Sequence, residues 1–405
     1  MRWYVLGFPV MVVRMAATWR RLCIESGLAV TRRSKNVVLG GDLLVSGSEL
    51  RPVVPRLGVP QPTPTGLRVR IRMQPGQTPA AFLAAADAMT HAWQAHAVRI
   101  VSPGRGWVLA TATASDPLIG GGLGVVPRPA RLLSAMVGRT EDGALWVLDF
   151  RVVPHWLVVG ATRSGKSTLI ASLVFALAPQ PVALVGIDCK GGMELSLFEP
   201  RLSALARDRG EAAALLGAVL AETEARMATC REVGARSIWD LPEMLRPVPL
   251  VVLVDEVAEL YLSDGSREGK QLSGACSTAL LRIGQLGAAL GVHLVVAGQR
   301  VGSELGPGVT ALRAQLGGRI CHRVNDEQTA LMVLGDLSPE AVAVAQTISE
   351  DERGVAVTTV GGSWVRARST HTTAEQARQT AVQFAKNTPE LPGLVHAITE
   401  IREAA

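Results

Sequence analysis

The sequence lacks the features that mark several common protein classes. Its five cysteines, Cys23, Cys189, Cys230, Cys276 and Cys321, are scattered and include no C-x-x-C pair. Neither a zinc site nor a disulfide framework is therefore indicated, and a reducing cytoplasm is the expected compartment. Charged residues make up only 19% of the chain, which excludes a disordered polycation. No internal repeat or low-complexity tract is present, and 48% hydrophobic residues among 405 suffice for the cores of two or three domains.

A long hydrophobic run is also missing. Residues 3–13 are apolar and uncharged, but they are too few to cross a bilayer as a helix. Arg14, Arg20 and Arg21 follow where a signal peptide would need a neutral cleavage region. Two interpretations stay open: a buried helix or strand, or an interfacial segment at the inner face of the cell membrane. The net charge of +6 fits an anionic partner, such as DNA or a lipid surface.

One motif carries strong chemical information. Residues 160–167 match the phosphate-loop pattern G-x-x-x-x-G-K-[ST], between an apolar strand at 155–159 and a helix at 168–177. Backbone N–H groups in such a loop face phosphate oxygens, and the helix N-terminus adds positive potential. Lys166 is predicted to reach the β- and γ-phosphates, and Ser167 to bind Mg²⁺. The predicted contacts to ATP are Gly160, Ala161, Thr162, Arg163, Ser164, Gly165, Lys166, Ser167 and Thr168.

Two further apolar strands end in polar residues. Asp255 and Glu256 follow the strand at 250–254, at the kind of sheet edge where ligands bind in open α/β sheets. Asp255 is predicted to orient the Mg²⁺ shell, and Glu256 to act as the general base for water. Gln299 follows the strand at 292–297, where it could sense the γ-phosphate. The alternatives are an acidic helix start for the carboxylate pair and a strand cap for Gln299.

Continuous apolar strands alternating with helices predict an α/β fold whose mostly parallel sheet is covered on both faces. The predicted organisation is an N-terminal apolar and basic segment at 1–50, a stiff proline-rich linker at 51–66, a small α/β module at 67–136, an ATPase motor at 137–370 and a helical tail at 371–405. Within the small module, residues 67–73 alternate apolar and basic. This arginine stripe is interpreted as a solvated sheet face, with a nucleic-acid track as the alternative.

The motifs also narrow the class of nucleotide enzyme. A GTPase would normally carry an Asn/Thr-Lys-x-Asp guanine reader after a strand, and the sequence has none. A small-molecule kinase rarely places an Asp-Glu pair after a second apolar strand. Hydrolysis of ATP coupled to motion is therefore the favoured activity.

Five separated motifs together resemble the FtsK/SpoIIIE family of double-stranded DNA translocases. They are 154–167 around the phosphate loop, 187–195 with Asp188 and Lys190, 224–236 with Arg226, 254–260 with the carboxylate pair and 291–300 with Gln299. Within that family, the short chain, the small N-terminal module and the Thr-Arg-Ser-Gly-Lys-Ser loop look like the actinomycete conjugative transfer proteins of the TraB/TraSA type.

The resemblance implies a RecA-like motor domain, a homo-hexameric ring around duplex DNA, and an arginine finger from the neighbouring subunit. Residues 316–320 lie where the family's Pro-Thr-Arg-Ile-like segment falls, and Arg319 within them is the candidate finger. Arg163, Cys189 and the Gly191-Gly192 pair depart from the chromosomal members, and the tail is too short for a complete winged-helix DNA reader. Alternative functions are a chromosome-segregation DNA pump, a secretion-system ATPase and a nucleotide-dependent DNA-binding scaffold.

Overall fold

The structure is a computed structural model that describes residues 3–32, 51–119, 131–263 and 265–404. The chain divides into two compact units, Met1–Ile119 and Gly120–Ala405. The sequence-based boundary at 136/137 is therefore wrong. Residues 134–136 begin a strand that belongs to the second unit, because its register joins the large sheet of that unit.

The first unit combines helices with small antiparallel sheets. After a π-helical turn at Trp3–Gly7, its elements are α1 Phe8–Glu25, β1 Val30–Arg32, β2 Arg51–Val53, β3 Arg56–Leu57, β4 Gln61–Pro62, β5 Gly66–Arg72, α2 Pro79–Ala84, α3 Ala86–Trp93, β6 Ala97–Gly104 and β7 Trp107–Thr113. β1 pairs with β2, while β3, β5, β7 and β6 form a sheet in that order with β4 added to β5. Residues 79–93 form the two helices α2 and α3, which end before β6.

The core of this unit lies between α1, α3 and one face of the main sheet. Met15, Trp93 and Ile71 are among its fully buried side chains. The inner side of α1 packs in this core, whereas Val10 and Val13 on its outer side are exposed, so both interpretations of the N-terminal segment stay open. No helix in the described ranges 3–32, 51–119, 131–263 and 265–404 is long and apolar enough to cross a membrane.

The proline-rich segment at 51–66 is part of the fold, which corrects the prediction of a linker. Its strands β3 and β4 pair with β5 in antiparallel register. Trp19 Nε1 donates to Pro55 O at 2.8 Å, and Trp3 Nε1 donates to Thr63 O at 2.9 Å. Prolines are tolerated here because the strands are short and lie at the sheet edge, where the missing N–H groups need no partner.

The second unit is a large α/β domain. Its strands are β8 Ser134–Thr140, β9 Leu145–Asp149, β10 His155–Val159, β11 Ala183–Ile187, β12 Ala204–Ala206, β13 Leu250–Val254, β14 Val292–Gly298, β15 Gly318–His322, β16 Val355–Val360 and β17 Ser363–Ser369. Its helices are α4 Lys166–Leu177, α5 Arg209–Glu232, α6 Ala258–Tyr261, α7 Arg267–Leu290, α8 Val309–Gln315, α9 Glu327–Leu334, α10 Pro339–Thr347, α11 Ala374–Gln383 and α12 Pro392–Ala404, with short 3-10 turns between them.

All ten strands form one sheet in the order β12-β11-β13-β14-β10-β15-β16-β17-β8-β9. The first six are parallel, and every residue of β10, β11, β13 and β14 is buried, as the continuous apolar runs predicted. The remaining four strands continue the sheet in antiparallel order. The predicted α/β fold is confirmed, and parallel pairing places the C-terminal ends of β10, β13 and β14 at one edge.

The helical tail packs within this unit. Thr373 and Gln376 form a capping box that starts α11. Arg402 on α12 donates from Nε to Glu211 Oε1 on α5 at 2.7 Å. Because Glu211 is buried and also accepts from the backbone N–H of Arg207, this ion pair anchors the end of the chain to α5.

Three buried histidines make the stability of this unit depend on pH. Burial lowers the pKa of His155 to about 4, of His293 to about 3 and of His322 to about 4, each from 6.5. The Nδ1 atom of His155 accepts from the backbone N–H of Leu294 at 3.1 Å, so a proton there would break that hydrogen bond. The unfolded chain therefore binds more protons than the folded one between the lowered values and 6.5, and stability falls as pH falls through that window.

We expect acidification from pH 6.5 to 5 to destabilise the nucleotide-free protein by about 4 kcal/mol, because the slope for each histidine is about half of 1.4 kcal/mol per pH unit at pH 6.5 and approaches the full value below it. This figure allows for Asp255, whose pKa is raised to about 6 and which opposes the loss below that pH. Urea unfolding at several pH values measures the slope. His155→Asn, which keeps an acceptor for Leu294, should lower the slope by roughly one third. Equal stability at both pH values would contradict the assignment.

Candidate nucleotide site

The phosphate loop connects β10 to α4 and is shaped by two unusual backbone conformations. Gly165 has φ +117°, and Arg163 has φ +62° although it is not glycine. A left-handed conformation at Arg163 costs on the order of 1 kcal/mol, so the surrounding loop imposes it. The loop is held from outside by Ala161 N, which donates to Arg323 O at 2.8 Å.

Lys166 is already inside the loop. Its Nζ donates to Gly160 O at 2.6 Å and to Ala161 O at 3.3 Å. Burial lowers the pKa of this ammonium, and the carboxylates of Glu256 and Asp255 oppose that shift. The lysine, the loop backbone and the N-terminus of α4 thus converge on one small volume with positive potential. These residues fit the phosphates of a nucleotide.

A turn before β16 braces the loop. Gly354 N donates to Ser164 O at 2.9 Å, and a Cβ added to Gly165 would lie 2.5 Å from the Gly354 Cα. Only glycine at 165 allows this approach. Sequence reasoning missed Gly354, because it is distant from the loop along the chain and belongs to no motif.

The carboxylate pair faces the loop across one intervening strand. Asp255 and Glu256 follow β13, and β14 lies between β13 and β10. The Oε1 atom of Glu256 accepts from Gln299 N at 3.1 Å, and its Oε2 lies 3.6 Å from Lys190 Nζ. The structure therefore brings together Glu256, Gln299 and Lys190 from three strand ends. Asp188 and Lys190 belong to the 187–195 motif, but no role was predicted for them from the sequence.

Asp255 lies close to several other carboxylates. Burial and the charges of Asp188 and Glu194 raise its pKa to about 6. Asp255, Glu194 and Ser167 line one cavity with the start of α11. The described residues include no cluster of three or more His, Cys, Asp or Glu that could bind a metal. Mg²⁺ fits such a site, because it is typically bound by one or two protein ligands together with substrate phosphates.

Gln299 and Arg319 are the other two predicted catalytic residues. The side chain of Gln299 is exposed, and its backbone N–H makes the contact to Glu256. Arg319 is half-buried on β15 opposite Leu157, three residues before the loop, which is about 10 Å along the strand. Its Nη1 is buried without a hydrogen-bond partner, and burial lowers its pKa. Within the described residues, the side chain of Arg319 makes no hydrogen bond to the loop.

Another arginine, which was not predicted from the sequence, lies nearer to the phosphate loop than Arg319 does. Arg323 follows β15, and its Nη2 donates to Thr162 O at 3.3 Å. It also lies 3.6 Å from Glu350 Oε1. No sequence pattern distinguishes Arg323 from other surface arginines, because its contact with the loop arises from the pairing of β15 with β10.

Comparison with known proteins gives the family. Residues 1–114 match the actinomycete conjugal transfer protein N-terminal domain, and residues 128–242 and 239–303 match the FtsK/SpoIIIE family. Transfer protein TraSA of Streptomyces ambofaciens is 44% identical over 360 residues, covering 85% of this chain and 85% of that protein. The sporulation regulatory protein of Streptomyces azureus is 44% identical over 279 residues, covering 67% and 90% respectively.

Solved structures share the fold. The pCW3 conjugation coupling protein TcpA in monomer form with ATPγS aligns with a TM-score of 0.59 at 16% identity, covering 91% of this chain and 98% of that one. The cytoplasmic domain of the type VII secretion ATPase EccC of Thermomonospora curvata aligns with a TM-score of 0.54 at 26% identity, covering 66% and 33%. The chain belongs to the FtsK/SpoIIIE family and is a P-loop ATPase with the N-terminal domain of actinomycete conjugal transfer proteins.

Proposed function

We propose that this protein is an ATP-driven translocase of double-stranded DNA that acts in conjugative transfer. The observation that carries the proposal is the convergence of Lys166 and Glu256 on one site in a chain 44% identical to a transfer protein over 85% of its length. A secretion ATPase has a related motor, as the likeness to EccC shows. The N-terminal domain match favours DNA transfer over secretion.

The proposed chemistry assigns one role to each group. Lys166 and the loop N–H groups bind the phosphates, and bound Mg²⁺ supplies positive charge that stabilises the negative charge of the transferred phosphoryl group. Ser167 and Asp255 are the residues that would hold this ion. Glu256 accepts a proton from the attacking water, and the contacts from Gln299 N and Lys190 orient its carboxylate.

We also propose that the ATPase works as a homo-hexameric ring. One side of the γ-phosphate would face solvent in a lone subunit, and charge developing there is often stabilised by an arginine from a neighbour. Arg319 is the proposed finger on the resemblance to the family, and its half-buried side chain on β15 makes no hydrogen bond to the loop of its own chain in the described residues.

The outer side of the N-terminal helix supports membrane association. Val5, Leu6, Val10 and Val13 are between 54% and 68% exposed, whereas Met11 and Met15 on the other side are buried. An exposed apolar stripe of this kind partitions into the boundary between headgroups and acyl chains. We propose that α1 rests on the inner face of the cell membrane.

Stimulation of ATP hydrolysis by DNA tests the proposed function. We expect duplex DNA of any sequence to raise turnover of the full-length protein, and the effect to weaken steeply between 50 and 200 mM salt. Contacts to phosphates release counterions, so six or more contacts lower affinity by about 10³-fold over that range. Steady-state hydrolysis with two unrelated duplexes at both salt concentrations measures this. Turnover that is indifferent to DNA would favour the scaffold or secretion alternatives.

A further inference from the structure

The positive charge of this protein is concentrated in its first unit. Residues 1–119 contain 14 Lys and Arg against 5 Asp and Glu, a net charge of +9. The whole chain has 41 and 35, so residues 120–405 have 27 and 30, a net charge of −3. The basic pI therefore comes from the small unit and not from the ATPase unit.

Five arginines of the first unit share one side of its sheet. Arg68, Arg70 and Arg72 alternate along β5 with Leu67, Val69 and Ile71, which are buried against the helices. Antiparallel register places three further residues on the same side: Arg56 opposite Arg72, Trp107 opposite Arg72, and Arg99 in line with Arg68 through Thr111. We call the group Arg56, Arg68, Arg70, Arg72, Arg99 and Trp107 the arginine face.

This arrangement is unfavourable for a surface that only needs solvation. Arg56 and Arg72 are directly opposite on neighbouring strands, where like charges destabilise a sheet. Both side chains and that of Arg70 are exposed, and in the described part of the unit no carboxylate pairs with them. The described acidic residues, Glu25, Asp87 and Asp116, contact Arg21, His91 and His96 instead.

Trp107 holds one arginine of the arginine face in place. The guanidinium of Arg70 lies 4.8 Å from the centre of the Trp107 ring. This cation–π contact restrains the side chain, and because the ring contacts the face of the guanidinium it does not use the in-plane N–H groups. Guanidinium groups held in this way match phosphate oxygens. Exposed arginines that no described carboxylate pairs with, as is the case for Arg56, Arg70 and Arg72, are typical of a surface that binds a polyanion.

We propose that the arginine face binds the phosphate backbone of duplex DNA. The unit would then hold the substrate that the ATPase unit moves, so this inference rests on the proposed function. An anionic membrane is the less suitable occupant, because most of the exposed large apolar residues described in the unit lie between residues 4 and 24, on the π-helical turn and α1. That helix packs on the opposite side of the sheet, and its outer side faces away from the arginine face.

The test compares two double variants of the full-length protein with equal loss of charge. Arg70→Gln/Arg72→Gln removes two arginines from the face, and Arg20→Gln/Arg21→Gln removes two exposed arginines from α1. Binding of a 30-base-pair duplex is measured by fluorescence anisotropy over a salt series, and binding of phosphatidylserine vesicles by flotation. ATP hydrolysis without DNA should equal that of the wild type in both variants, which verifies folding.

We expect the face variant to bind DNA about ten-fold more weakly, with the slope of log affinity against log salt reduced by about 1.8 for two lost phosphate contacts. Vesicle binding should not change, and Arg70→Lys/Arg72→Lys should restore most of the DNA affinity. The α1 variant should keep the wild-type slope. Equal DNA binding by both double variants, or loss of vesicle binding alone in the face variant, would overturn the proposal. DNA binding absent from the wild type would instead overturn the proposed function.

Discussion

Glu256→Gln is expected to lower steady-state ATP hydrolysis by about 10²–10⁴-fold while nucleotide affinity stays near that of the wild type. The carboxylate is positioned by the backbone N–H of Gln299 and by Lys190. Glutamine keeps the shape and can still accept from that N–H, but it cannot take a proton from water. The variant should therefore accumulate with ATP bound. Turnover and equilibrium nucleotide binding measure the two effects separately.

Two further variants make this result specific. Lys166→Ala should lose tight nucleotide binding, because the ammonium inside the loop is removed. Glu259→Gln removes a half-buried carboxylate three residues further on and should hydrolyse ATP normally. A Glu256→Gln protein with normal turnover would show that the general-base assignment is wrong.

The second large effect concerns Arg319. If Arg319 acts on the nucleotide of a neighbour, Arg319→Ala should lower hydrolysis by about 10³–10⁵-fold, the range seen where arginine fingers have been dissected. Lys166→Ala should be equally inactive. Mixing the two should restore part of the activity, because about a quarter of the interfaces in a random equal mixture combine an intact loop with an intact finger.

Each other outcome of the mixing experiment has a structural meaning. An Arg319→Ala protein that is fully active alone would exclude the finger. Loss of activity without recovery on mixing would assign Arg319 to the sheet, where its half-buried side chain lies beside β10. Arg323→Ala provides the comparison in the same subunit, since Arg323 contacts Thr162 of its own loop.

The parts of this protein that were predictable are those in which neighbours along the chain are also neighbours in space. The phosphate loop needs a strand, a glycine turn and a helix in succession, and residues 155–177 contain all three. The buried parallel strands were recognisable because both faces of such a strand are apolar. The family could be recognised for the same reason, since its motifs are short, contiguous and in a set order. The comparisons confirm that recognition.

The features of the fold that could not be predicted depend on pairing between segments that are distant along the chain. Residues 51–66 contain many prolines and were interpreted as a linker, yet they supply edge strands and acceptors for Trp3 and Trp19. The hairpin of β8 and β9 comes before β10 in sequence but forms the far edge of the sheet, beyond β17. Local propensity is the same whether such a strand pairs near or far, so the sequence could not decide it.

The catalytic site, too, was predictable from the sequence only in part. The residue types of Lys166, Asp255 and Glu256, and their places at the ends of β10 and β13, follow from the sequence alone. Only the insertion of β14 between those strands places Gln299 N within 3.1 Å of Glu256, and only the packing of Gly354 against Gly165 braces the loop. Strand order and side-chain approach are set by the packing of the whole core. No pattern in a short stretch of sequence contains that information.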